Sequence, residues 1–505
     1  MLTTACALVF FLSAGIQDYL YLIPEEPDLQ RSTEDVLAYR GNGQMVYLGT
    51  EYSGFELLDT EPGCLENYFI VLPELLPPGW DLSEYGDALF FDGYVYITKP
   101  GEDSPSRICA AARPLRPVLP VRTVAANYPQ PVYDSDVINI VNSVNQDSLI
   151  SIVGRLEQFE SRFWSNDSFP AARDWAAAWL ENEGCAVEVQ SFPMSSGISQ
   201  NLIVTFPGTI HPDQYVLLGA HLDSGRNGQD IFPGADDNAS GSAAVMEAAR
   251  AMVPYEFQNT VVLCLWGAEE AGTVGSYYYA SNAAAAGEEI IAVLNTDMIL
   301  YGPSIGPISY DILNLDYNDN SLALAQYFSN VSDIYVPQLE VAYNYTTYGV
   351  SDYVSFWQCG FTAIGGNEIV YPPWYHTAYD QLENYVEFFP FGTNVAKATT
   401  ATLASLAVPT GTGIAVDTPA EILDATPSVA AWPCPASRTV QVSVSGMNQN
   451  PVLSLFDLSG RCVQAYDTFS EYPVSLDLSG FSCGMYLLLA TTSTQTASAR
   501  VLLVR

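Results

Sequence analysis

The middle of the chain alternates short apolar runs with segments in which apolar residues recur at helical spacing. The apolar runs NLIVTFPG, QYVLLGAH, TVVLCLWGA, IIAVLNTDMI and FTAIGGN predict strands, whereas GSAAVMEAARAM, VGSYYYASNAAAAG and NVAKATTATLASLAV predict helices. Continuous apolar strands that alternate with helices are typical of a largely parallel sheet covered on both faces. We therefore predict an α/β domain with a central, mostly parallel sheet flanked by helices over residues 130–408.

The two ends of the chain have a different pattern. Residues 18–125 contain short aromatic-rich runs separated by Gly, Pro and Asp, which predicts a small β-rich domain that ends in a proline-dense linker. Residues 409–427 predict a second linker, and the alternating residues 428–505 predict a β-sandwich of about seven strands. Residues 1–15 have a short apolar core followed by small residues, as in a signal peptide for export.

Composition narrows the range of partners. The chain of 505 residues has 57 acidic and 17 basic residues and a net charge of -40, so it would repel nucleic acid and anionic lipid. No segment after the signal is apolar for the ~20 residues that a membrane span needs, so we expect no membrane insertion. The even number of cysteines after the signal permits disulfides, with Cys64–Cys109 and Cys434 with Cys462 or Cys483 as candidates, while Cys264 is predicted to be a buried free thiol.

Acidic residues and histidines follow the predicted strands of the middle domain. In chain order they are His221, Asp223, Asp236, Glu269, Glu270, Asp297 and His376. Because ligands bind beyond the carboxyl ends of strands in a parallel sheet, we expect these side chains to meet at one edge. Without counter-ions, burial and mutual repulsion would cost such a cluster several kcal/mol. Histidine and carboxylate ligands suit zinc, so the sequence predicts a site for divalent cations that activate water and polarise a carbonyl.

The motifs GAHLDS, PGADDNASG, GAEEAGTVGS, LNTDMI and YHTAYDQLEN, in this order and spacing, resemble the dinuclear zinc exopeptidases. That family includes bacterial secreted leucyl aminopeptidase, aminopeptidase Y and, more distantly, glutaminyl cyclase. The resemblance covers residues 130–408 and implies the zinc exopeptidase fold with two zinc ions. It also implies that the pair of carboxylates in PGADDNASG serves the metals unequally.

Position by position, the resemblance implies a role for each residue of the cluster. Asp236 would bridge the two metals, and Asp237 would be structural. One metal site would be completed by His221 and Asp297, and the other by Glu270 and His376. Glu269 would be the general base, and Asp223 would orient His221.

Near residue 350, the chain agrees with the family at one position and differs from it at another. Tyr348 stands where some members have a tyrosine that hydrogen-bonds the oxyanion. Many relatives have Ser-Asp-His where this chain has Ser351, Asp352 and Tyr353, so the role of that histidine cannot be transferred. The aromatic residues Phe356, Trp357, Tyr371 and Trp374 either line a substrate pocket or pack in the core.

The C-terminal motifs WPCPASRTVQVSV, LSLFDLSGRCV and CGMYLLLATT resemble the type A sorting domain of the type IX secretion system. The alternative is a generic β-sandwich accessory or carbohydrate-binding module. The resemblance implies contact with the secretion machinery and export across the outer membrane of a Gram-negative bacterium, to the cell surface or the medium. The N-terminal β-rich domain is either a pro-segment that blocks the cleft or an accessory module.

These features together predict a secreted, monomeric, zinc-dependent aminopeptidase that acts on peptides with a free N-terminus. One alternative is another reaction on the same fold, by a carboxypeptidase or by a glutaminyl cyclase that needs a single zinc ion. The other alternative is a binding protein with an inactive peptidase domain. Inactive relatives typically lose ligands or the base, and this chain retains all of them.

Overall fold

The structure is a computed structural model of the chain. It describes residues 128–412 apart from 195, 226–230 and 306–307, and outside this range mainly the strands between residues 19 and 121 and between 428 and 503. The predicted signal peptide, most of the predicted linker over 409–427, and Cys64, Cys109, Cys434 and Cys483 lie outside the described residues.

The described N-terminal residues form two small antiparallel sheets, as the aromatic-rich runs predict. The strands are β1 (Tyr19–Pro24), β2 (Val36–Gly41), β3 (Gln44–Gly49), β4 (Glu56–Leu57), β5 (Phe69–Val71), β6 (Asp87–Phe91), β7 (Tyr96–Lys99) and β8 (Ala112–Pro114). The sheet orders are β2-β3-β1-β4 and β6-β7-β5-β8. One apolar cluster joins the two sheets, with Val46 from the first sheet and Ile97 from the second completely buried.

The middle of the chain contains one large sheet and two short two-stranded sheets. Its strands are β9 (Val187–Met194), β10 (Gly197–Phe206), β11 (His211–His221), β12 (Tyr255–Phe257), β13 (Asn259–Trp266), β14 (Glu289–Thr296), β15 (Ser304–Ile305), β16 (Ile308–Ser309), β17 (Ile312–Tyr317), β18 (Glu340–Tyr345), β19 (Ala363–Glu368) and β20 (Pro409–Thr412). Strand β20, predicted as the start of a linker, pairs instead with β12.

The large sheet has the order β18-β17-β19-β14-β11-β13-β10-β9. Strands β13, β11, β14 and β19 run parallel at its centre, as predicted. Towards the edges the sheet is mixed, because β10 is antiparallel to β13 and β17 is antiparallel to β19. The parallel centre is therefore the part of the sheet that can gather several strand ends at one edge.

Helices cover both faces of this sheet. They are α1 (Ser135–Ser143), α2 (Gln146–Glu157), α3 (Ser168–Asn182), α4 (Gly241–Met252), α5 (Val274–Ala286), α6 (Leu322–Tyr335), α7 (Tyr353–Gln358) and α8 (Phe389–Ala407). Because side chains alternate along a strand, Val216 and Leu218 of β11 join the core under α4 and α8, whereas Leu217 joins the core under α5 and α7. The predicted α/β architecture is confirmed.

The described C-terminal residues form a small β-sandwich, also as predicted. Its strands are β21 (Ser428–Trp432), β22 (Thr439–Ser445), β23 (Val452–Asp457), β24 (Cys462–Tyr466), β25 (Val474–Asp477), β26 (Gly484–Thr491) and β27 (Thr496–Leu503). Sheets β21-β22-β25 and β24-β23-β26-β27 enclose one core that includes Val442 and Leu455.

Two sequence-based expectations about single features can be checked directly. Cys264 is a buried free thiol, as predicted, whereas Cys462 is an exposed free thiol, so the suggested disulfide of Cys462 is wrong. Within the described part of the chain, no helix has both the length and the apolarity of a membrane span.

Candidate metal centre

The carboxyl edge of the parallel strands gathers the residues that the motifs single out. His221 is the last residue of β11, and Asp297 directly follows β14. Glu269 and Glu270 lie in the turn after β13, and His376 lies in the segment after β19. Asp297 is partly exposed, and the other four residues are buried. The expected convergence of strand ends therefore occurs.

The potential ligand atoms form two groups, each with all its atoms within 4.8 Å of one another. The first group consists of His221, Asp237 and Asp297, and we call it the strand group. The second consists of Asp237, Glu270 and His376, and we call it the loop group. Asp237 is the single residue common to both.

The two carboxylate oxygens of Asp237 point to different histidines. Its Oδ1 lies 3.2 Å from Nε2 of His221, and its Oδ2 lies 2.9 Å from Nε2 of His376. Nε2 of His221 is also 3.2 Å from Oδ1 of Asp297, and Nε2 of His376 is 3.7 Å from Oε2 of Glu270. A carboxylate divided in this way between two ligand groups has the arrangement of a bridging ligand.

The resemblance implies that Asp236 bridges the two metals, but the structure places Asp237, and not Asp236, between the two histidines. The carboxylate of Asp236 is turned away, and its Oδ1 accepts a hydrogen bond from the amide of Leu300 at 3.0 Å. Burial raises the pKa of Asp236 to about 7, against hydrogen bonds with Glu368 and Leu300 that lower it. Adjacent residues of a tight turn point in opposite directions, and nothing in the letters of ADDN distinguishes the two aspartates.

The turn that carries Asp237 is fixed by two buried charged side chains. The carboxylate of Asp380 accepts hydrogen bonds from the amides of Asp236 at 2.9 Å and Asp237 at 3.1 Å. The completely buried guanidinium of Arg162 donates to the carbonyls of Gly234, Pro233 and Leu222. Arg162 therefore joins the turn before Asp237 to the segment directly after His221.

Asp223 contacts His221 through its backbone carbonyl. Nδ1 of His221 is 3.0 Å from the backbone carbonyl of Asp223, which can only accept, so Nδ1 carries a proton and Nε2 faces the carboxylates. The carboxylate of Asp223 instead accepts from the amides of Glu269 at 3.0 Å and Glu270 at 3.2 Å. Asp223 thus holds both the histidine and the turn with the two glutamates.

The backbone conformation at the site is unusual. Ala268, Met298 and His376 have φ values of 59°, 57° and 54°, in the left-handed region that non-glycine residues avoid at about 1–2 kcal/mol each. The first two adjoin Glu269 and Asp297. Residues stay in such conformations when the surrounding contacts fix them, and they cluster at functional sites.

The electrostatics of the cluster favour bound cations. Burial raises the pKa of Glu269 and of Glu270 well above the ordinary range, so a nearby positive charge would stabilise the charged form of each. Burial also acts to raise the pKa of Asp237, but hydrogen bonds from His221 and His376 outweigh it and hold that pKa below the ordinary range. Imidazole and carboxylate donors in two small groups fit zinc.

A cleft opens onto the two groups. Its lining consists of Asp237, Glu269, Glu270, Asp297, Met298, Val350, Ser351, Asn367, Glu368, Tyr371, Tyr375 and His376. None of these described lining residues is Lys or Arg. The cleft therefore combines an acidic floor with apolar walls.

The other predicted residues lie elsewhere. Tyr348 is not among the lining residues, and its ring packs against the apolar cluster of the N-terminal sheets. Of the four aromatic candidates, Tyr371 lines the cleft, whereas Phe356 and Trp357 belong to the core under α5 and α7 and Trp374 packs against the other core. The sequence interpretation missed Arg162, Glu368 and Asp380, which act through contacts distant in sequence.

Comparison with known proteins gives these motifs a family. Residues 201–388 match the model of peptidase family M28. This region belongs to peptidase family M28. The M28 region contains every residue of the strand and loop groups. Residues 430–504 match a second model, the secretion system C-terminal sorting domain.

Individual relatives are similar over parts of their length. A probable leucine aminopeptidase of Arthroderma otae is 28% identical over 242 residues, which cover 45% of this chain and 64% of the relative. Leupeptin-inactivating enzyme 1 of Streptomyces exfoliatus is 39% identical over 146 residues, which cover 28% of this chain and 32% of the relative. The chain thus matches less than two thirds of the length of either relative.

Solved structures share the fold of the M28 region. LapB from Legionella pneumophila superposes with a TM-score of 0.54 at 17% identity and covers 68% of this chain and 99% of its own. The LapA aminopeptidase of Legionella pneumophila has the same TM-score and identity and covers 67% of this chain and 98% of its own. At this identity the likeness establishes a shared fold.

Proposed function

We propose that this protein is a zinc-dependent aminopeptidase with a dinuclear site in which Asp237 bridges the two ions. The observation that supports this most directly is the division of the Asp237 oxygens between His221 and His376. The strand group would hold one zinc ion and the loop group the other. Bound zinc lowers the pKa of water to near neutrality and polarises a carbonyl oxygen.

Glu269 is the residue we assign as general base. It lines the cleft beside both groups, and its Oε1 has no hydrogen-bond partner among the described residues. Asp223 holds the amide of Glu269, which fixes the direction of its side chain. A carboxylate placed in this way takes a proton from the attacking water and returns it to the departing amine.

The charge of the cleft supports action on the amino end of peptides. A peptide amine is cationic, and the described lining also contains Glu368, a carboxylate that is neither a proposed zinc ligand nor the proposed base. A carboxypeptidase binds a terminal carboxylate, which requires a positive partner such as arginine. The absence of Lys and Arg from the described lining favours the aminopeptidase. Apolar Met298, Val350 and Tyr371 favour an apolar first side chain.

We further propose that the ends of the chain serve export, and that the mature protein is a monomer. The match of residues 430–504 to a sorting domain supports passage through a type IX secretion system to the cell surface or medium. The N-terminal residues 18–125 would remain as an accessory or pro-segment. Size-exclusion chromatography of protein recovered from the medium, with sequencing of its ends, would test the oligomeric state and the processing.

The activity is tested with a mixture of peptides that have free or blocked ends, digested with and without a chelator. Chelator-sensitive shortening from the free amino end, read by mass spectrometry, is the expected result. Shortening from the carboxyl end, or loss of ammonia from N-terminal glutamine, would contradict the proposed reaction.

The role of Glu269 is tested in the same assay. Glu269→Gln should retain its zinc content and lose at least about 10²-fold in kcat, because the amide cannot accept the proton. Glu181→Gln, on the exposed side of α3, is the matched control and should keep full activity. Near-normal turnover of Glu269→Gln would refute the assignment of the base.

A further inference from the structure

One wall of the cleft is a loop, which backbone hydrogen bonding joins to β17 at its first residue, Thr346. Residues 346–352, which we call the wall loop, connect β18 to α7 and contribute Val350 and Ser351 to the cleft. Ser351 Oγ accepts from Nδ2 of Asn295 at 3.0 Å. The side chain of Val350 also packs against the apolar cluster of the N-terminal sheets, and the position of its backbone depends on what holds the rest of this loop.

The hydroxyl of Tyr353 links the wall loop to the sheet. It accepts a hydrogen bond from the amide of Val350 at 3.2 Å and donates one to Oδ2 of Asp316 at 2.6 Å. Both Tyr353 and Asp316 are almost completely buried. A single oxygen thus connects the backbone of the cleft wall to a carboxylate on β17.

Asp316 is itself anchored by three strands. Its Oδ1 accepts from Nδ2 of Asn314 at 3.0 Å and of Asn344 at 2.7 Å, and its Oδ2 accepts from Nδ2 of Asn367 at 3.1 Å. These asparagines lie on β17, β18 and β19. With the hydroxyl of Tyr353, the carboxylate has four donors, so its buried charge is well paired. Asn367 also lines the cleft, so the network reaches the cleft at two points.

Two glycines make room for the ring of Tyr353. A Cβ atom on Gly365 would lie 2.3 Å from Cε1 of Tyr353, and a Cβ atom on Gly349 would lie 2.6 Å from Cε2. Real Cβ atoms essentially never approach so closely, so any larger residue at either position would displace the ring. Gly349 also has a φ of 52°, which favours glycine. The ring, the two glycines and Asp316 therefore fit one another as a set.

We propose that Tyr353 and Asp316 position the wall loop and thereby determine how tightly the cleft selects the first side chain of the substrate. This inference rests on the proposed aminopeptidase function. Among the described residues, Tyr353 and Asp316 form no hydrogen bond or ion pair with either ligand group, so they act as positioning residues. Loosening the loop should weaken substrate binding while leaving the metals in place.

The test is Tyr353→Phe in the full-length protein, which removes one oxygen and keeps the ring. Losing a hydrogen bond to a buried carboxylate should raise KM about tenfold for the preferred amino-acid anilide and change kcat by less than about threefold. The preference of the variant for leucine over alanine substrates should be smaller than that of the unaltered protein. Hydrogen exchange of the peptide that contains residues 346–352 should accelerate about tenfold, with zinc content unchanged.

A matched control separates this effect from the loss of any buried hydroxyl. Tyr335 is similarly buried. Its hydroxyl likewise accepts a hydrogen bond from a backbone amide, that of Asp134 at 2.7 Å, and donates one to the backbone carbonyl of Val132 at 3.3 Å. Tyr335→Phe should leave the kinetics and the exchange of the wall loop unchanged. If it changes them as much as Tyr353→Phe does, the specific role of Tyr353 is refuted.

A second variant keeps the proposal testable if Tyr353→Phe does not fold. Asn344 lies on the exposed edge strand β18, and Asn344→Ala removes one donor to Asp316 from the solvent side. We expect KM and the hydrogen exchange of the wall loop to rise by about threefold each. Unchanged exchange of the wall loop in both folded variants would overturn the inference. Because exchange is measured without substrate, this outcome is distinct from a failure of the proposed activity.

Discussion

The strand group and the loop group share Asp237 but differ in what holds their other ligands. His221 ends β11 and Asp297 directly follows β14, so the ligands of the strand group are fixed by neighbouring hydrogen-bonded strands of the parallel centre. Glu270 and His376 of the loop group lie in connecting segments. Their positions depend on Asp223, which binds the amide of Glu270, and on the ring of Tyr375, which stacks on His376 with a centroid separation of 3.8 Å.

The strands of the sheet therefore position the ligands of the strand group directly, whereas side-chain contacts in the connecting segments position those of the loop group. Strand ends in a packed sheet have little freedom, whereas connecting segments are in general more mobile. A zinc ion held by the strand group should therefore be retained more firmly than one held by the loop group. Asp237 is the element on which both depend.

The largest effect is expected from Asp237→Asn. The change weakens both groups at once, and the loss of several kcal/mol of charge stabilisation corresponds to a decrease in kcat/KM of at least about 10³-fold. Asp236→Asn is the matched control one residue away, and it should retain two zinc ions and activity within about tenfold of the unaltered protein. Steady-state kinetics with zinc analysis checks both. The reverse order of effects would restore Asp236 as the shared ligand.

Replacement of Asp380 should weaken zinc binding by both groups, but less than replacement of Asp237 does. Asp380 holds the amides of Asp236 and Asp237, and losing such a supporting residue typically costs about 10–100-fold in metal affinity. We expect Asp380→Asn to lower zinc affinity in this range, measured by competition with a zinc indicator. An unchanged affinity would show that the turn keeps Asp237 in place without this carboxylate.

Stepwise removal of zinc tests the comparison itself. The loop group should lose its ion about tenfold faster than the strand group during chelation, because its ligands lie on connecting segments. The time course, followed with a zinc indicator, should show two phases of equal amplitude. Tyr375→Ala should accelerate only the faster phase. A single phase would contradict the inequality of the two groups.

The smallest effect is expected at Tyr348. Its ring packs against the N-terminal sheets and does not line the cleft, so Tyr348→Phe should lower kcat by less than about threefold. The measurement is kcat with the preferred anilide. A loss of about 10²-fold or more would instead support the oxyanion role that the resemblance implies.

The predictable parts of the molecule follow from strong local patterns. Strand β13 has the sequence NTVVLCLW and is buried throughout, and α4 consists largely of small apolar residues, so both were evident from the sequence. Strand β17, next to the edge strand β18, has the sequence ILNLDY with polar residues at its third and fifth positions, and we predicted no strand there. Asn314 and Asp316 belong to the buried hydrogen-bond network around Tyr353, which forms only in the folded chain.

In the site too, local motifs predicted some residues, whereas others depend on contacts between residues distant in sequence. The motifs after each strand identified the histidines and the glutamates, because strand ends meet at one edge of a parallel sheet. The choice between Asp236 and Asp237 depended on the direction of two adjacent side chains in a tight turn, which Gly234, with a φ of 60°, and Asp380 set from outside the pair. Arg162 lies 71 residues before Pro233, and no local pattern indicates their contact.

The most direct test of the central claim is a crystal structure of the zinc-loaded protein with anomalous scattering recorded at the zinc edge. The account predicts two peaks, one between His221 and Asp297 and one between Glu270 and His376, with one oxygen of Asp237 facing each. A single peak at full zinc occupancy, or two peaks that share Asp236, would contradict it.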